Sequence, residues 1–190
     1  MIRIGILGDI GSGKTYVANN FGYPVFSADE EVALIYKKDK KVFYKLKKLI
    51  PNFISIFPIN KKQISKAILA NQTNLKKIVK IIHPIIRKKM NIFLKKNINK
   101  KIIILDIPLL LENNLNKKND ILVFIQSRKI DIIKKLKNRA GFNKKLYYKF
   151  KKIQKSNKVK KKKSNFIIKN DFTKKTVKKS IKEILNKIIK

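Results

Sequence analysis

Ile2-Arg3-Ile4-Gly5-Ile6-Leu7-Gly8-Asp9-Ile10-Gly11-Ser12-Gly13-Lys14-Thr15 is a short apolar run that passes directly into a complete G-x-x-x-x-G-K-S/T sequence, with helix-compatible residues from Tyr16 to Phe21 behind it. Strand, glycine-rich turn and helix in that order form a cradle for a polyphosphate. Gly11 and Gly13 accept backbone dihedrals closed to other residues, so successive amide N–H groups turn inward toward an anion. Lys14 is placed to reach β- and γ-phosphoryl oxygens, the Thr15 hydroxyl to ligate Mg²⁺, and the helix N-terminus adds partial positive charge. Gly11, Ser12, Gly13, Lys14, Thr15 and Tyr16 are therefore the candidate nucleotide site, with ATP and Mg²⁺ the expected occupants. The plainer alternative, a glycine-rich turn carrying a solvent lysine, does not account for the whole motif and its flanks.

Outward from this stretch, Ile2–Leu7, Pro24–Ser27, Ile102–Ile107, Ile121–Gln126 and Phe166–Lys169 read as strands, each short and rich in Ile, Val or Phe. The long stretches between them predict helical crossovers and a parallel, doubly wound sheet. Near-continuous apolar runs such as Ile102-Ile103-Ile104-Leu105 suit strands buried on both faces. In such a sheet ligands bind beyond the carboxyl ends of the strands, where Gly8–Thr15, Ser27–Asp29 and Asp106–Glu112 would converge. From Glu30 to Lys100 the periodicity is helical and is interrupted by Pro51, Pro58 and Pro84, which predicts an inserted helical subdomain. Within it, Asn60 caps a helix from about Lys61 in this reading. Arg128–Lys163 reads as further helix with Ser127 as its cap, and Thr173–Ile189 as an amphipathic helix packed on the sheet through Val177, Ile181, Ile184, Leu185 and Ile188.

The chain has 190 residues, which suits one domain carrying helical insertions. It has no cysteine and one histidine, so thiolate chemistry and a multi-histidine zinc cluster are excluded and carboxylates, lysines and hydroxyls must do the work. The first strand begins at the N-terminus and the apolar runs are broken by Asp106 and Pro108, so a cytoplasmic protein without membrane attachment is expected. Net charge is +38, with 49 Lys+Arg against 11 Asp+Glu. The excess is mostly lysine, interleaved with Ile and Asn along the whole length, as a base-composition bias would produce. Clustered arginine, stacking aromatics and a nucleic-acid motif are not evident, so no specific nucleic-acid partner is expected.

Among the remaining candidates, Asp29 follows the second strand, where a carboxylate can take a proton from a substrate hydroxyl; it equally suits a helix N-terminal acid, and both readings stand on sequence alone. Asp106 ends an apolar strand, the position of a carboxylate that supports Mg²⁺ indirectly, or of an acid satisfied by backbone amides. His83 precedes Pro84, which biases His83 from helical geometry and makes Pro84 a natural first helical residue. His83 with Arg87 one turn on is a candidate anion-facing pair, a solvated basic face being its alternative. Arg139, on the predicted helix after the fourth strand, has the planar fork that grips phosphate oxygens, and a surface arginine remains the other reading.

Taken together, these residues resemble the dephospho-CoA kinases, nearly end to end. The family's opening is similar to Gly8–Ala18, its Asp-Ala-Asp segment to Ser27-Ala28-Asp29, its His-Pro to His83-Pro84, and its Pro-Leu-Leu-x-Glu to Pro108-Leu109-Leu110-Leu111-Glu112. Its lid arginine matches Arg139, and its later Gln and Phe-x-Ile-x-Asn match Gln154 and Phe166–Asn170. The resemblance implies an α/β, P-loop kinase-type parallel sheet of about five strands flanked by helices. It implies a core of residues 1–29, 101–138 and 164–190, a helical substrate-binding subdomain of 30–100, and a lid of 139–163 that closes over ATP. The implied reaction moves the γ-phosphoryl of ATP to the ribose 3′-hydroxyl of dephospho-CoA, with Asp29 as base, Lys14, Mg²⁺ and Arg139 on the moving group, and His83, Arg87, Pro108 and Glu112 toward the acceptor. A monomer is expected. Another P-loop nucleoside or nucleotide kinase, or a basic nucleic-acid-binding ATPase, is the rival reading.

Asp9 stands where the family usually has glycine, Tyr16 where a small hydroxyl residue is common, Ser27 where it has its first aspartate, and Ala140 where an acid often follows the lid arginine. A carboxylate at the mouth of an anion nest opposes a triphosphate unless it points outward or pairs with a lysine. An outward Asp9 is the expectation.

Overall fold

Apolar residues that fill both faces of a strand leave no face for water, so the sheet must be covered on both sides. The computed structural model, which describes residues 1–139 and 141–189, has this arrangement. β1 (Ile2–Gly8), β2 (Val25–Ser27), β3 (Ile102–Asp106), β4 (Ile121–Gln126) and β5 (Phe166–Lys169) form one five-stranded sheet of order β2-β3-β1-β4-β5. Every neighbouring pair is parallel. Register places Ser27 opposite Asp106, Gly8 opposite Ile125 and Gln126 opposite Lys169, so the carboxyl ends share one edge.

This sheet belongs to a compact unit of Met1–Ser27 with Asn97–Lys190. α1 (Lys14–Asn19) and α9 (Lys174–Ile188) cover one face. Ile4, Ile6, Ile102, Ile104, Val123, Ile125 and Ile168 meet Val17, Ala18, Phe21, Val177, Ile181 and Ile184 there. Each such side chain, fully withdrawn from water, contributes about 1.5–3 kcal/mol. On the opposite face Ile103, Leu105, Leu122 and Phe124 are buried. Leu110 and Leu122 press onto Gly5, where an added Cβ would lie 2.6 Å from Leu110, so a side chain at this point would force the leucine methyls to shift. The same unit carries α6 (Lys129–Lys137), α7 (Lys144–Lys152) and α8 (Asn157–Lys162). The expected cap of α6 is corrected: its N-cap is Arg128, and the Ser127 hydroxyl is drawn away to the Ser12 carbonyl at 3.1 Å. α9 starts one residue later than the expected Thr173, because Thr173 is its N-cap and accepts from the Thr176 amide.

The second unit, Ala28–Lys96, consists of α2 (Ala28–Lys38), α3 (Lys40–Leu49), α4 (Lys61–Ala70) and α5 (Gln72–Lys96). α5 packs against each of the other three. Asn60 caps α4 in a reciprocal capping box with Gln63, an arrangement that removes two unpaired amides from the helix start. Pro84 does not begin a helix: it lies inside α5, which continues through it. Ile78, Ile82, Ile86 and Met90 form a buried stripe on both sides of Pro84, and the burial holds the helix despite the missing amide. Pro84 itself is exposed, as is Lys80, whose carbonyl loses its helical donor on the water-facing side.

Candidate active site

The turn after β1 is held in the shape an anion nest requires. Gly11 (φ 81°) and Gly13 (φ 88°) lie in the left-handed region, and Gly13 is the N-cap of α1. Two side chains from neighbouring strand ends buttress the turn: Asn170 Nδ2 donates to the Ser12 carbonyl at 2.8 Å, and Ser127 Oγ to the same oxygen. A Cβ at Gly13 would stand 2.5 Å from Asn170 Nδ2. Among the described residues the buried Ser12 hydroxyl has no hydrogen-bond partner. A buried polar atom left unmatched costs stability, and phosphate oxygens are the partners this turn is shaped to admit.

Lys14 Nζ donates to the Asp9 carbonyl at 2.7 Å and more weakly to Gly8 at 3.4 Å. The Thr15 hydroxyl donates to Asp106 Oδ2 at 2.6 Å, and Asp106 is buried at the end of β3. That bond orients the Thr15 hydroxyl. No group of three or more His, Asp or Glu side chains able to hold a metal occurs among the described residues. Mg²⁺ of the kind that travels with ATP takes most of its ligands from phosphates and water, so Thr15 backed by Asp106 fits that role. Tyr16, by contrast, is 45 % exposed.

Asp9 is not outward. Its residue is largely buried; Oδ1 accepts from the Ile10 amide at 2.7 Å, while Oδ2 pairs with Lys151 of α7 and accepts from Asn157 Nδ2 of α8 at 3.4 Å. Burial pushes the Asp9 carboxyl up, but the hydrogen bond and charge of Lys151, the Ile10 amide and Asn157 together hold it below the ordinary carboxylate range. Lys160 of α8 is 3 % exposed, and its ammonium donates to the Gly8 carbonyl at 3.3 Å and Gln154 Oε1 at 3.0 Å, with Glu112 at 3.5 Å. Burial lowers its pKa, with the Glu112 and Asp9 charges opposing that shift. Glu112 also accepts the Lys155 amide at 2.8 Å, so the loop after β3 grips the chain between α7 and α8. Leu109 in that loop has φ 61°, and Pro108 is half-buried beside it.

Arg139 lies past the end of α6 rather than on it; its amide donates to the Leu136 carbonyl at 3.1 Å and its side chain is exposed. α6 stops at Lys137 with Asn138 as its C-cap, since the next turn is taken up by that carbonyl contact. Ala140 falls outside the described residues. Nearby, Lys135 Nζ stands 4.8 Å from the Phe172 ring centre, a cation over an aromatic face.

In the helical unit Asp29 is exposed in the first turn of α2, followed by Glu30 and Glu31. His83 and Arg87 share α5; burial and the Arg87 charge both lower the His83 pKa. Sequence reasoning missed Lys151 and Asn157 as residues at the phosphate loop. They lie in a lysine-dense stretch with no local signal to separate them from solvated neighbours.

A sequence model of the dephospho-CoA kinase family matches residues 2–176. The chain belongs to the dephospho-CoA kinase family. A dephospho-CoA kinase of Wolbachia pipientis wMel is 31 % identical over 190 residues, covering 97 % of both chains. The fold is shared with TT1252 from Thermus thermophilus, at a TM-score of 0.79 and 23 % identity, covering 98 % of this chain and 97 % of that one. It is shared too with the dephospho-CoA kinase from Campylobacter jejuni, at TM-score 0.63 and 21 % identity over 98 % and 96 % of the two chains. The expected P-loop kinase-type parallel sheet is therefore present. No helix among the described residues is long and apolar enough to cross a membrane.

Proposed function

We propose that this chain transfers the γ-phosphoryl group of ATP to the ribose 3′-hydroxyl of dephospho-CoA, releasing ADP and coenzyme A, the last step of coenzyme A biosynthesis. The observation that carries this reading is membership of the dephospho-CoA kinase family on a chain whose phosphate loop keeps Lys14 and Thr15, with Thr15 bonded to Asp106. The loop amides and Lys14 take the triphosphate oxygens, and Lys14 offsets charge on the group in flight. Mg²⁺, held through Thr15 and the phosphates, supplies further neutralisation of that charge.

Asp29 takes the proton from the attacking 3′-oxygen. In the helical unit, whose role is substrate binding, His83 and Arg87 meet the acceptor; from the sheet unit Pro108 and Glu112 do so. Residues 139–163 act as the lid, with Arg139 reaching ATP when it closes and water is shut out. A cytoplasmic monomer without a specific nucleic-acid partner completes the proposal.

Incubation with Mg-ATP and dephospho-CoA is expected to yield coenzyme A. A panel of acceptors decides against the rival kinases: turnover of a nucleoside monophosphate with none of dephospho-CoA overturns the assignment, and hydrolysis stimulated by RNA or DNA points to the nucleic-acid-dependent class.

A further inference from the structure

Asp9 puts a carboxylate on the residue after Gly8, at the mouth of a turn shaped for anions. Such a group repels a triphosphate and also competes for the ammonium meant to bind it. Lys14 Nζ already rests on the carbonyl of this same residue, at 2.7 Å.

In the structure that carboxylate is fully engaged. Ile10 N fixes Oδ1, and Lys151 and Asn157 occupy Oδ2. We infer that Lys151 is a positioning residue for ATP binding: by neutralising Asp9 beside the phosphate loop, it removes a charge that would repel the triphosphate. The same pair ties α7 to the loop, and Asn157 adds the start of α8. Lys151 is half-exposed, with 37 % of its side chain accessible, so its replacement removes a charge more than it removes packing. The inference rests on the proposed use of ATP but not on the identity of the acceptor.

The test is calorimetric titration of Mg-ATP into wild type, Lys151→Met, Asp9→Asn and the double variant, with the unfolding midpoint of each measured without nucleotide. Lys151→Met is expected to weaken Mg-ATP binding about tenfold or more, because it takes the ion-pair partner from a partly buried carboxylate beside the phosphate site. Asp9→Asn in that background is expected to bring affinity back to within about threefold of Asp9→Asn alone, the coupling expected of groups in contact. Lys151→Arg should preserve affinity, and Lys151→Gln provides a second charge removal should the Met variant fold poorly.

Unchanged affinity in Lys151→Met and Lys151→Gln overturns the inference. Loss that Asp9→Asn fails to repair also overturns it, since Lys151 would then be touching phosphate itself. Tighter binding overturns it as well, because the pair would be a latch set against ATP. If the wild type binds no Mg-ATP, this inference and the proposed kinase activity fall together; binding without turnover of dephospho-CoA removes only the acceptor assignment.

Discussion

The sheet unit and the helical unit treat their charged groups in opposite ways. In the sheet unit, polar side chains of the candidate site are joined to residues far away in sequence, Thr15 to Asp106, Asn170 to Ser12, and Lys160 to Gly8 and Glu112, and Asp106, Asn170 and Lys160 are buried. In the helical unit Asp29 and Arg87 are exposed on helix surfaces, and the Lys89–Glu31 pair at 2.8 Å is itself part-exposed. The first pattern suits a ligand part that every turnover shares, a polyphosphate whose binding geometry can be set in advance. In the proposed reaction the second suits a large acceptor that brings its own partners. On the proposed reaction, the groups held in advance are those around the phosphate loop.

The contrast can be broken most sharply at Lys14. Lys14→Met is expected to lower kcat/KM by about a thousandfold, as loss of a preorganised charge beside the moving phosphoryl should; steady-state kinetics with ATP and dephospho-CoA measure it. Next comes Asp29→Asn, expected to reduce kcat about a hundredfold through loss of the base. Its Mg-ATP affinity should stay near wild type, and a large loss of nucleotide binding there would erase the distinction between the two units. Asp106→Asn leaves the Thr15 hydroxyl a weaker acceptor and should cost about tenfold in kcat/KM, since a supporting partner of a metal-binding group is typically worth that much; a rise in the Mg²⁺ concentration needed for half-maximal rate locates the effect at Thr15.

The helical unit offers smaller changes. Asn60→Ala removes the capping box of α4 and should lower unfolding free energy by about 1 kcal/mol, read from denaturant melts. Smallest is the pH dependence of His83. Its pKa in the fold is lowered from 6.5 by burial and by Arg87, so the unfolded chain binds the proton more readily. The resulting stability is complete above the unfolded value and is lost as pH falls through the folded one. His83→Gln should therefore melt with a flatter pH dependence on the acid side of 6.5 than wild type. Identical slopes would mean that the imidazole is as well hydrated as in the unfolded chain.

Much of this was legible before any coordinates. The strand positions followed from apolar runs, the phosphate loop from its glycines and Lys14, and the cap at Asn60 from a side chain that bonds within three residues. The misreadings share one cause. Pro84 looks like a helix start until the buried stripe from Ile78 to Met90 is seen to carry α5 through it. Ser127 looks like a cap until the Ser12 carbonyl competes for its hydroxyl. Asp9 looks outward until α7 delivers Lys151 to it. In a chain with 49 Lys+Arg residues, nothing local distinguishes Lys160, buried on the Gly8 carbonyl, from lysines in water.

The order of apolar and polar residues along the chain was sufficient to specify a parallel sheet, a phosphate-binding turn at the end of its first strand, and the kinship that joins them. Those features depend on backbone geometry and on periodicity within a few residues. Which lysine neutralises Asp9, which acid anchors Thr15 and where Glu112 is held were decided only when distant segments packed, because burial makes the energy of a charge depend on partners that the linear sequence does not place beside it.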